Sequence, residues 1–437
     1  MWWWFAACDR TPEQDRDPTL PLTSPCALDP DNLLRVICAH EGAAAALTVD
    51  DGVEVRTFEG GPGTVAAWNL PEDTMLALSL AVDGAAVWEG HLATGSLPET
   101  AALRFVEEVS GAPRAEHLLF STGCEGGAPQ IYVTDPDGAV RWYGSPGVTG
   151  GLTGIDHSGD GVTLLAGRRW VRDLRWDGGI GLDAQRDLSS GVFLHHAVDV
   201  EGDRTAVLDT RTREWPDGNT YLDDGVAEVR DGQIVNVFRL GDHLDPQGRT
   251  AFAPAYWWGT FPDAIDAFHV NAVDLLPEGG FLLSIKHFDA IVKVDAAGEV
   301  AWAVTGSTFS PDLGALTLAK LDDDVSFEFP HHVNRAPWGN VLLFDNGRGL
   351  RPSTVLELAI DEEARTVRTV RRWPLGVPCP VQSSAYGLED GTVVATCAGS
   401  REVFELDDGG IHRRVRVDCA NGDPLGILVR VQPIGDF

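Results

Sequence analysis

Two passages in the second half of the chain share one layout, in which histidine stands directly before a short apolar strand, and a looser third copy lies at 194–199. In the first two an asparagine follows the histidine two positions later. Imidazole acts as a general acid, a general base or a nucleophile near neutral pH, and it also binds metals. A histidine that recurs at the start of a recurring strand therefore predicts several imidazoles at one polar site. The histidines are His195, His196, His269, His331 and His332, and the asparagines are Asn271 and Asn334.

A second repeat predicts the elements that hold these histidines. It consists of an apolar strand, an aspartate, a glycine turn and another strand that sometimes ends in tryptophan. Such hairpins are typical of the outer strands of propeller blades. Six copies fit the available length, so we predict an all-β, six-bladed β-propeller over residues 112–437, with a double sandwich as the alternative. The copies begin at or near Ile131, Leu174, Val226, Ile291, Leu356 and Val403.

Residues 26–105 have a different pattern, made of short runs in which apolar and polar residues alternate. Such runs, separated by turn residues, predict an antiparallel β-sandwich. The turn at 70–74, Leu-Pro-Glu-Asp-Thr, resembles a turn of fibronectin type III-like domains, although the tyrosine that follows it there is missing. We therefore expect a small fibronectin III- or immunoglobulin-like sandwich in front of the propeller.

Residues 1–25 are predicted to be a disordered tether. Ala6 and Ala7 directly before Cys8 resemble the end of a bacterial lipoprotein signal, in which the cysteine receives a lipid. The segment has no basic start and only a short apolar stretch, so a plain disordered start is the alternative. The resemblance implies an exported bacterial protein, periplasmic or in the outer membrane, with a lipid anchor at Cys8.

Composition and missing motifs exclude several kinds of partner. The chain has 66 acidic and 33 basic residues, for a net charge of -33. A surface this acidic repels phosphate backbones and anionic lipids, so we expect no nucleic acid partner. There is no Cys-x-x-Cys pair or His/Cys cluster that argues for zinc, so we expect no metal and no cofactor. A metal site built from His196, His269 and His332 is the alternative.

Besides Cys8 the chain has six cysteines, an even number that suggests disulfides in an exported protein. Their positions in the sequence favour a bond between Cys26 and Cys38. Cys124 would reach the last blade if the propeller closes there. Free thiols are the alternative for all six. The remaining cysteines are Cys379, Cys397 and Cys419.

The region from about 190 to 410 resembles the bacterial arylsulfate sulfotransferases that do not use the nucleotide sulfate donor. Residues 266–287 and 298–302 match one pattern of that family. The pattern has an aspartate, a histidine and an asparagine ahead of a strand, followed by Gly-x-x-x-Trp. A second, with a histidine ahead of Leu-Phe-Asp-Asn-Gly, is met by 331–332 and 343–347, and Arg348 follows it. The resemblance implies a six-bladed propeller behind an N-terminal β-sandwich. No phosphate loop with Gly-Lys and no Gly-x-Ser-x-Gly elbow occurs, which is consistent with this family.

The chain departs from the family pattern at several positions. Phe268 stands at the family's tryptophan, Lys286 at its arginine and His331 at its glutamine. The family transfers the sulfuryl group through a histidine, which members with demonstrated chemistry carry in a late blade, whereas residues 380–388 contain none. Either another imidazole is the nucleophile, or the chain is a non-catalytic propeller that binds an anionic or aromatic ligand.

The resemblance implies transfer of a sulfuryl group from an aryl sulfate to a phenol through a sulfohistidine. The negative charge of this group is spread over three oxygens, and Arg348 would bind them through its fork of N–H donors. We expect His269 or His332 to be the nucleophile and the other to be the general acid and base, with His196 completing the ring. The expected substrate-binding residues are Asn271, Lys286, His287, His331 and Asn346.

Some of these residues have a structural alternative. His195 and His196 could simply fill an inner strand, and Asn346 lies in a good tight-turn sequence. Trp257 and Trp258 either pack in the fold or line an entrance for an aromatic substrate. The expected partners are the small-molecule substrates and a second copy of the chain in a homodimer, although the sequence does not fix the oligomeric state.

Overall fold

The computed structural model describes residues 24–99, 101–124, 130–148, 150–250, 261–422 and 425–435. Within these ranges the chain consists of β-strands and turns, which confirms the all-β prediction. None of its helical segments is long and apolar enough to cross a membrane. The predicted tether with Cys8 and the pair Trp257–Trp258 lie outside the described residues. Short 3₁₀ segments occur at Leu188–Ser190, Leu240–Asp242, Pro246–Gly248, Lys286–Phe288 and Gly314–Leu316.

The first strands form two antiparallel sheets, one in the order β1-β2-β5 and the other in the order β4-β3-β6-β7. Their alternating apolar residues share one core, in which Val36 and Val65 lie with Leu47 and Leu78. The Cys26–Cys38 disulfide joins β1 to β2, as the sequence predicted. The strands are β1 (Cys26–Asp29), β2 (Asn32–Ala39), β3 (Ala45–Asp50), β4 (Val55–Gly60), β5 (Thr64–Ala67), β6 (Met75–Val82) and β7 (Ala85–Ala93).

The described residues from 101 onward form six sheets of four or five strands, which are antiparallel except where β20 pairs with β18 and β25 with β29. In the first half the strands are β8 (Leu103–Val109), β9 (His117–Thr122), β10 (Gln130–Thr134), β11 (Val140–Gly144), β12 (Leu152–His157), β13 (Gly161–Ala166), β14 (Trp170–Arg175), β15 (Ile180–Gln185), β16 (Val192–Glu201), β17 (Arg204–Glu214), β18 (Thr220–Arg230), β19 (Gln233–Arg239) and β20 (Ile265–Asp266). In the second half they are β21 (Val270–Leu275), β22 (Phe281–Ile285), β23 (Ala290–Val294), β24 (Val300–Thr305), β25 (Ala319–Lys320), β26 (Pro330–Arg335), β27 (Val341–Asp345), β28 (Thr354–Asp361), β29 (Thr366–Pro374), β30 (Ser384–Gly387), β31 (Val393–Cys397), β32 (Glu402–Asp407), β33 (Gly410–Cys419) and β34 (Val429–Ile434).

These sheets form a ring. The six innermost strands are β34, β12, β16, β21, β26 and β30. Each contacts the next, and β30 contacts β34, which closes the ring. The two ends of the region close the ring together, because β34 joins the sheet of β9 while β8 joins the sheet of β33. Residue 105, at which we placed the end of the first domain, lies within β8. The disulfide Cys124–Cys419 ties the two closing sheets, as expected for a ring that closes there, and Cys379–Cys397 lies in the last sheet.

Side chains of the innermost strands lock neighbouring sheets together. In each case a side-chain oxygen accepts the backbone N–H of the next innermost strand. Buried backbone N–H groups need hydrogen-bond partners, so these four bonds fix the position of each innermost strand along the axis of the ring relative to the next strand. The pairs are Gln432 with His157 at 2.9 Å, Asp156 with Val200 at 2.7 Å, Asp199 with Leu275 at 2.7 Å and Asp274 with Arg335 at 3.0 Å.

Five of the innermost strands have a β-bulge, where the pairing register shifts. A bulge inserts an unpaired residue and turns its side chain away from the regular alternation, and bulges often adjoin active sites. At two of them the backbone is left-handed, with φ of 53° at His196 and 43° at Arg430. The bulged residues are Thr153, His196 with Ala197, Asn271, His331 and Arg430.

Candidate active site

Imidazoles from three neighbouring sheets lie together, and two of them, those of His196 and His331, stand at bulges. The ring of His196 lies 5.0 Å from that of His269 and 6.1 Å from that of His331, measured between centroids. The ring of His287 lies 4.8 Å from that of His269 on its other side. Four of the predicted site histidines therefore form one cluster, although they are spread over more than a hundred residues of sequence.

His269 is held by a carboxylate. Its Nδ1 lies 2.5 Å from Oδ2 of Asp266, and the backbone of His269 is left-handed, with φ of 52°. Asp266 is positioned by the short parallel pairing of β20 with β18. An imidazole that donates its Nδ1 proton to a carboxylate carries its lone pair on Nε2 and is fixed in orientation. His269 is thus arranged as a nucleophile or a base at Nε2.

A second chain of groups ends at His196. Oδ1 of Asp224 lies 3.6 Å from Nε2 of His195, and Nδ1 of His195 lies 2.8 Å from Nδ1 of His196. The other carboxylate oxygen of Asp224 accepts the backbone N–H of Val270 at 2.9 Å, which ties this chain to the strand of His269. His195 is buried whereas His196 is partly exposed, so a proton can pass from the interior to the accessible ring.

Burial decides the charge of these groups. It lowers the pKa of His196, His269 and His331 well below 6.5, and nearby positive charge lowers the pKa of each further. The pKa of His287 falls to about 3 for the same reason. The four imidazoles are therefore neutral at neutral pH, which is the form that attacks an electrophile.

The two carboxylates respond to burial in opposite directions. Burial raises the pKa of Asp266 to about 6. Burial also acts to raise the pKa of Asp224, but its hydrogen bonds to His195 and Val270 and the charge of His195 outweigh it, so the net pKa is lowered. Asp224 hence stays ionised under conditions in which Asp266 takes up a proton.

His332 has different neighbours from the other predicted histidines. Its Nδ1 lies 3.1 Å from the carbonyl oxygen of Ala385 and 3.3 Å from the backbone nitrogen of that residue. Its ring packs on Tyr386 with centroids 4.6 Å apart, and Asn334 donates to the same Ala385 carbonyl at 2.5 Å. These contacts hold His332 against β30, in the adjacent sheet.

Arg348 and Asn346 also have partners within the fold. The guanidinium of Arg348 pairs with Asp289 and with Glu328, whose Oε1 lies 3.1 Å from Nη1. It stacks on Phe329, with 5.2 Å from the guanidinium carbon to the ring centroid. The amide of Asn346 donates to the carbonyl of Cys379 at 2.5 Å, in agreement with the turn alternative. Nζ of Lys286, by contrast, lies 5.7 Å from the Phe329 ring centroid and within electrostatic reach of His196 and His269.

Sequence reasoning missed several residues of this site. Asp266 stands three positions before His269, a spacing that could have indicated the pair. Asp224 stands just before the hairpin repeat that begins at Val226 and belongs to no histidine motif, and Arg430 lies in the last strand, outside every repeat. Asn271, which was predicted, donates its amide to the carbonyl of Pro330 at 3.1 Å. Four buried polar atoms here have no hydrogen-bond partner in the described structure, namely Asn271 Oδ1, His287 Nε2, His331 Nδ1 and Arg430 Nε.

Asp266, His269 and His287 also have the spacing of metal ligands, with ligand atoms within 4.8 Å of one another. Two ligands of one tetrahedral zinc ion, each at about 2.1 Å, would lie roughly 3.4 Å apart. The 2.5 Å contact between Asp266 and His269 is shorter than that and is a hydrogen bond. The geometry thus favours a carboxylate–imidazole pair over a metal site that uses these two atoms.

Residues 107–405 match the family model described as Arylsulfotransferase (ASST). The chain belongs to this family. Membership implies aryl sulfotransferase chemistry, with an aryl sulfate and a phenol as substrates.

The arylsulfotransferase chain is also similar in structure to a streptogramin B lyase, with 10% identity over 75% of this chain and 92% of that one and a TM-score of 0.42. It is also similar to a luciferin-regenerating enzyme, with 10% identity over 75% of this chain and 96% of that one and a TM-score of 0.38. A third similar structure is the soluble aldose sugar dehydrogenase of Escherichia coli, with 12% identity over 65% of this chain and 97% of that one and a TM-score of 0.37. No curated protein sequence matches the chain.

Proposed function

We propose that this protein transfers a sulfuryl group from an aryl sulfate to a phenol, with His269 as the nucleophile that carries the group. The observation that supports this most directly is the 2.5 Å contact between Asp266 and Nδ1 of His269, which leaves the lone pair of a neutral imidazole on Nε2. This arrangement supplies the histidine that residues 380–388 lack.

In the first half-reaction the lone pair of His269 Nε2 attacks sulfur. A nitrogen–sulfur bond forms while the sulfur–oxygen bond to the aryl group breaks, and its electron pair leaves with the phenolate. Positive charge develops on the imidazole, and Asp266 stabilises it through the Nδ1 proton. The second half-reaction reverses these changes, with the oxygen of the acceptor phenol attacking sulfur and the imidazole leaving.

His196 is the proposed base of the second half-reaction. Its low pKa keeps it neutral and ready to accept the phenolic proton, and its centroid lies only 5.0 Å from that of His269. The contact with His195, and through it with Asp224, stabilises the imidazolium that forms. The proton then passes to solvent or to the phenolate that leaves in the next turnover. His331, Asn271 and His287 surround the same space and would contact the substrate.

We further propose that the six sheets of the ring are the blades of a six-bladed propeller and that the two N-terminal sheets are a small sandwich domain, with domains at about 26–105 and 112–437. The ring of innermost strands and the N-terminal core support two domains, although β8 (Leu103–Val109) joins the last sheet of the ring and moves the boundary to before residue 103. Export to the periplasm or outer membrane, with a lipid anchor at Cys8, is proposed as well. Three disulfides support it, since such bonds persist in oxidising compartments.

Mass spectrometry of the intact protein tests the covalent step. Brief mixing with an aryl sulfate, without acceptor, should add one sulfuryl group, about 80 Da. His269→Ala should lose this gain, and His332→Ala, which removes an imidazole held against β30, is the matched control that should keep it. If His332→Ala alone loses the gain, His332 is the nucleophile. If the wild type shows neither a mass gain nor phenol release, the proposal is wrong and the alternative, a propeller that binds an anionic or aromatic ligand, takes its place.

A further inference from the structure

Arg430 occupies the same place in the fold as three of the predicted site residues. It is a bulged residue of β34, as His196, Asn271 and His331 are of β16, β21 and β26. Its side chain spans the ring, because Nη2 donates to the backbone carbonyl of Asn271 at 3.2 Å and β21 lies opposite β34 among the innermost strands. The guanidinium therefore lies at the axis.

The charge of Arg430 is buried without a carboxylate partner. Four arginines are buried among the described residues, and three of them pair with a carboxylate. Arg430 is 2% exposed, yet no carboxylate oxygen of the described residues lies within 4.0 Å of it. Leaving an ion buried and unpaired costs several kcal/mol. The three pairs are Arg35 with Asp29, Arg239 with Asp209 and Arg413 with Glu405.

The groups around the guanidinium are neutral on the side of the imidazoles. Arg430 lies within electrostatic reach of Tyr386 and is the largest charge acting on His331 and His332. Asp156 and Asp199 also lie within electrostatic reach of Arg430, and both carry raised pKa values because they are buried. Nε of Arg430 has no hydrogen-bond partner in the described structure. A donor and a positive charge thus remain available to a ligand.

We propose that Arg430 is the residue that binds the sulfate oxygens of the donor at the axis. This inference deepens the proposed function and assigns to Arg430 the role that the sequence suggested for Arg348. The guanidinium of Arg348 is already neutralised by Asp289 and Glu328, whereas that of Arg430 is not. An oxyanion at the axis would satisfy its unused donor and pair its charge, in contact with the imidazoles that perform the transfer.

Binding of inorganic sulfate, measured by calorimetry, tests this inference without requiring turnover. Arg430→Gln should weaken sulfate binding roughly 10- to 150-fold, the range expected for a lost charge-assisted hydrogen bond. Arg430→Lys keeps the charge but loses the fork of donors, so it should fall between the wild type and Arg430→Gln. Arg204→Gln is the matched control. It removes one guanidinium that pairs with Glu228 away from the imidazoles, and it should bind sulfate as the wild type does.

Kinetics with 4-nitrophenyl sulfate give a second readout. Arg430→Gln should raise KM at least as much as it lowers kcat, and added guanidinium should restore part of the rate, which a purely structural role would not allow. Melting temperatures without sulfate identify any variant that fails to fold, and Arg430→Lys then carries the test. The inference is overturned if Arg430→Gln binds sulfate as tightly as the wild type, or if the wild type does not bind sulfate. Either result counts even if the enzyme turns over its substrate. Sulfate binding that depends on Arg430 without covalent transfer would retain it and refute the proposed function.

Discussion

Asp266→Asn separates the role of the carboxylate from that of the imidazole it holds. Burial raises the pKa of Asp266 to about 6, while the pKa of His269 lies well below 6.5. As the pH falls through about 6, Asp266 is therefore protonated and loses the charge that stabilises His269, although the imidazole itself is still neutral. The wild-type kcat/KM should fall with it, to roughly one tenth at about pH 5 compared with about pH 8, because about one tenth of the carboxylate is then ionised.

The substitution replaces a charged acceptor by a neutral one of the same shape. A hydrogen bond to a charged group contributes about 1.5–3 kcal/mol, so kcat/KM at about pH 8 should fall roughly 10- to 150-fold. The variant has no group that titrates near pH 6 at this position. Its kcat/KM should therefore not fall between about pH 8 and about pH 5. The ratio of the wild-type kcat/KM to that of the variant should shrink about tenfold over the same range.

The assay is the initial rate of phenol release from an aryl sulfate, with melting temperatures at each pH to show that the protein is folded. Asp199→Asn is the matched control, because the pKa of Asp199 is also raised to about 6 by burial, yet its carboxylate accepts the backbone N–H of Leu275. That variant should keep the wild-type acid limb. An unchanged limb in Asp266→Asn, or a rate within threefold of wild type, would show that Asp266 does not act on the reacting imidazole.

Three further outcomes are expected. Burial raises the pKa of Asp199 from 3.8 to about 6, so protonation of this group stabilises the fold fully below pH 3.8, and the effect is lost as the pH rises through about 6. Asp199→Asn should therefore be up to about 3 kcal/mol more stable than the wild type in urea unfolding at about pH 8. The difference should shrink below about pH 6. Cys124→Ser removes the disulfide that joins the two closing sheets across 295 residues of sequence, and it should lower the free energy of unfolding by roughly 2–5 kcal/mol. Because this disulfide is absent from the variant, reductant should cause no further loss of stability through it. Asn346→Ala removes the donor to the Cys379 carbonyl and should cost about 1–3 kcal/mol of stability; a raised KM without this loss would place Asn346 in the substrate site instead.

Local patterns in the sequence were sufficient for the all-β fold class. Alternation of period two and the Asp-Gly hairpins predict strands and turns because both depend on residues close together in the chain. The same locality made the Cys26–Cys38 bond predictable, since these residues flank one hairpin. The repeated histidines also indicated the site, and His196, His269, His287 and His331 do form one cluster.

The sequence by itself determined that the chain is all β, belongs among the arylsulfotransferases and collects imidazoles at one place. Only the tertiary structure decided which of these groups can react. Asp224 reaches the site because its strand lies in the same sheet as that of His195, whereas Arg430 reaches it because the ring closes, and it bonds to a residue 159 positions away. The bulges set the direction of His196 and Arg430 through left-handed backbone that no pattern of residue types records. The charge of each group depends on its burial and on its partner, and both exist only once the sheets have packed around the axis.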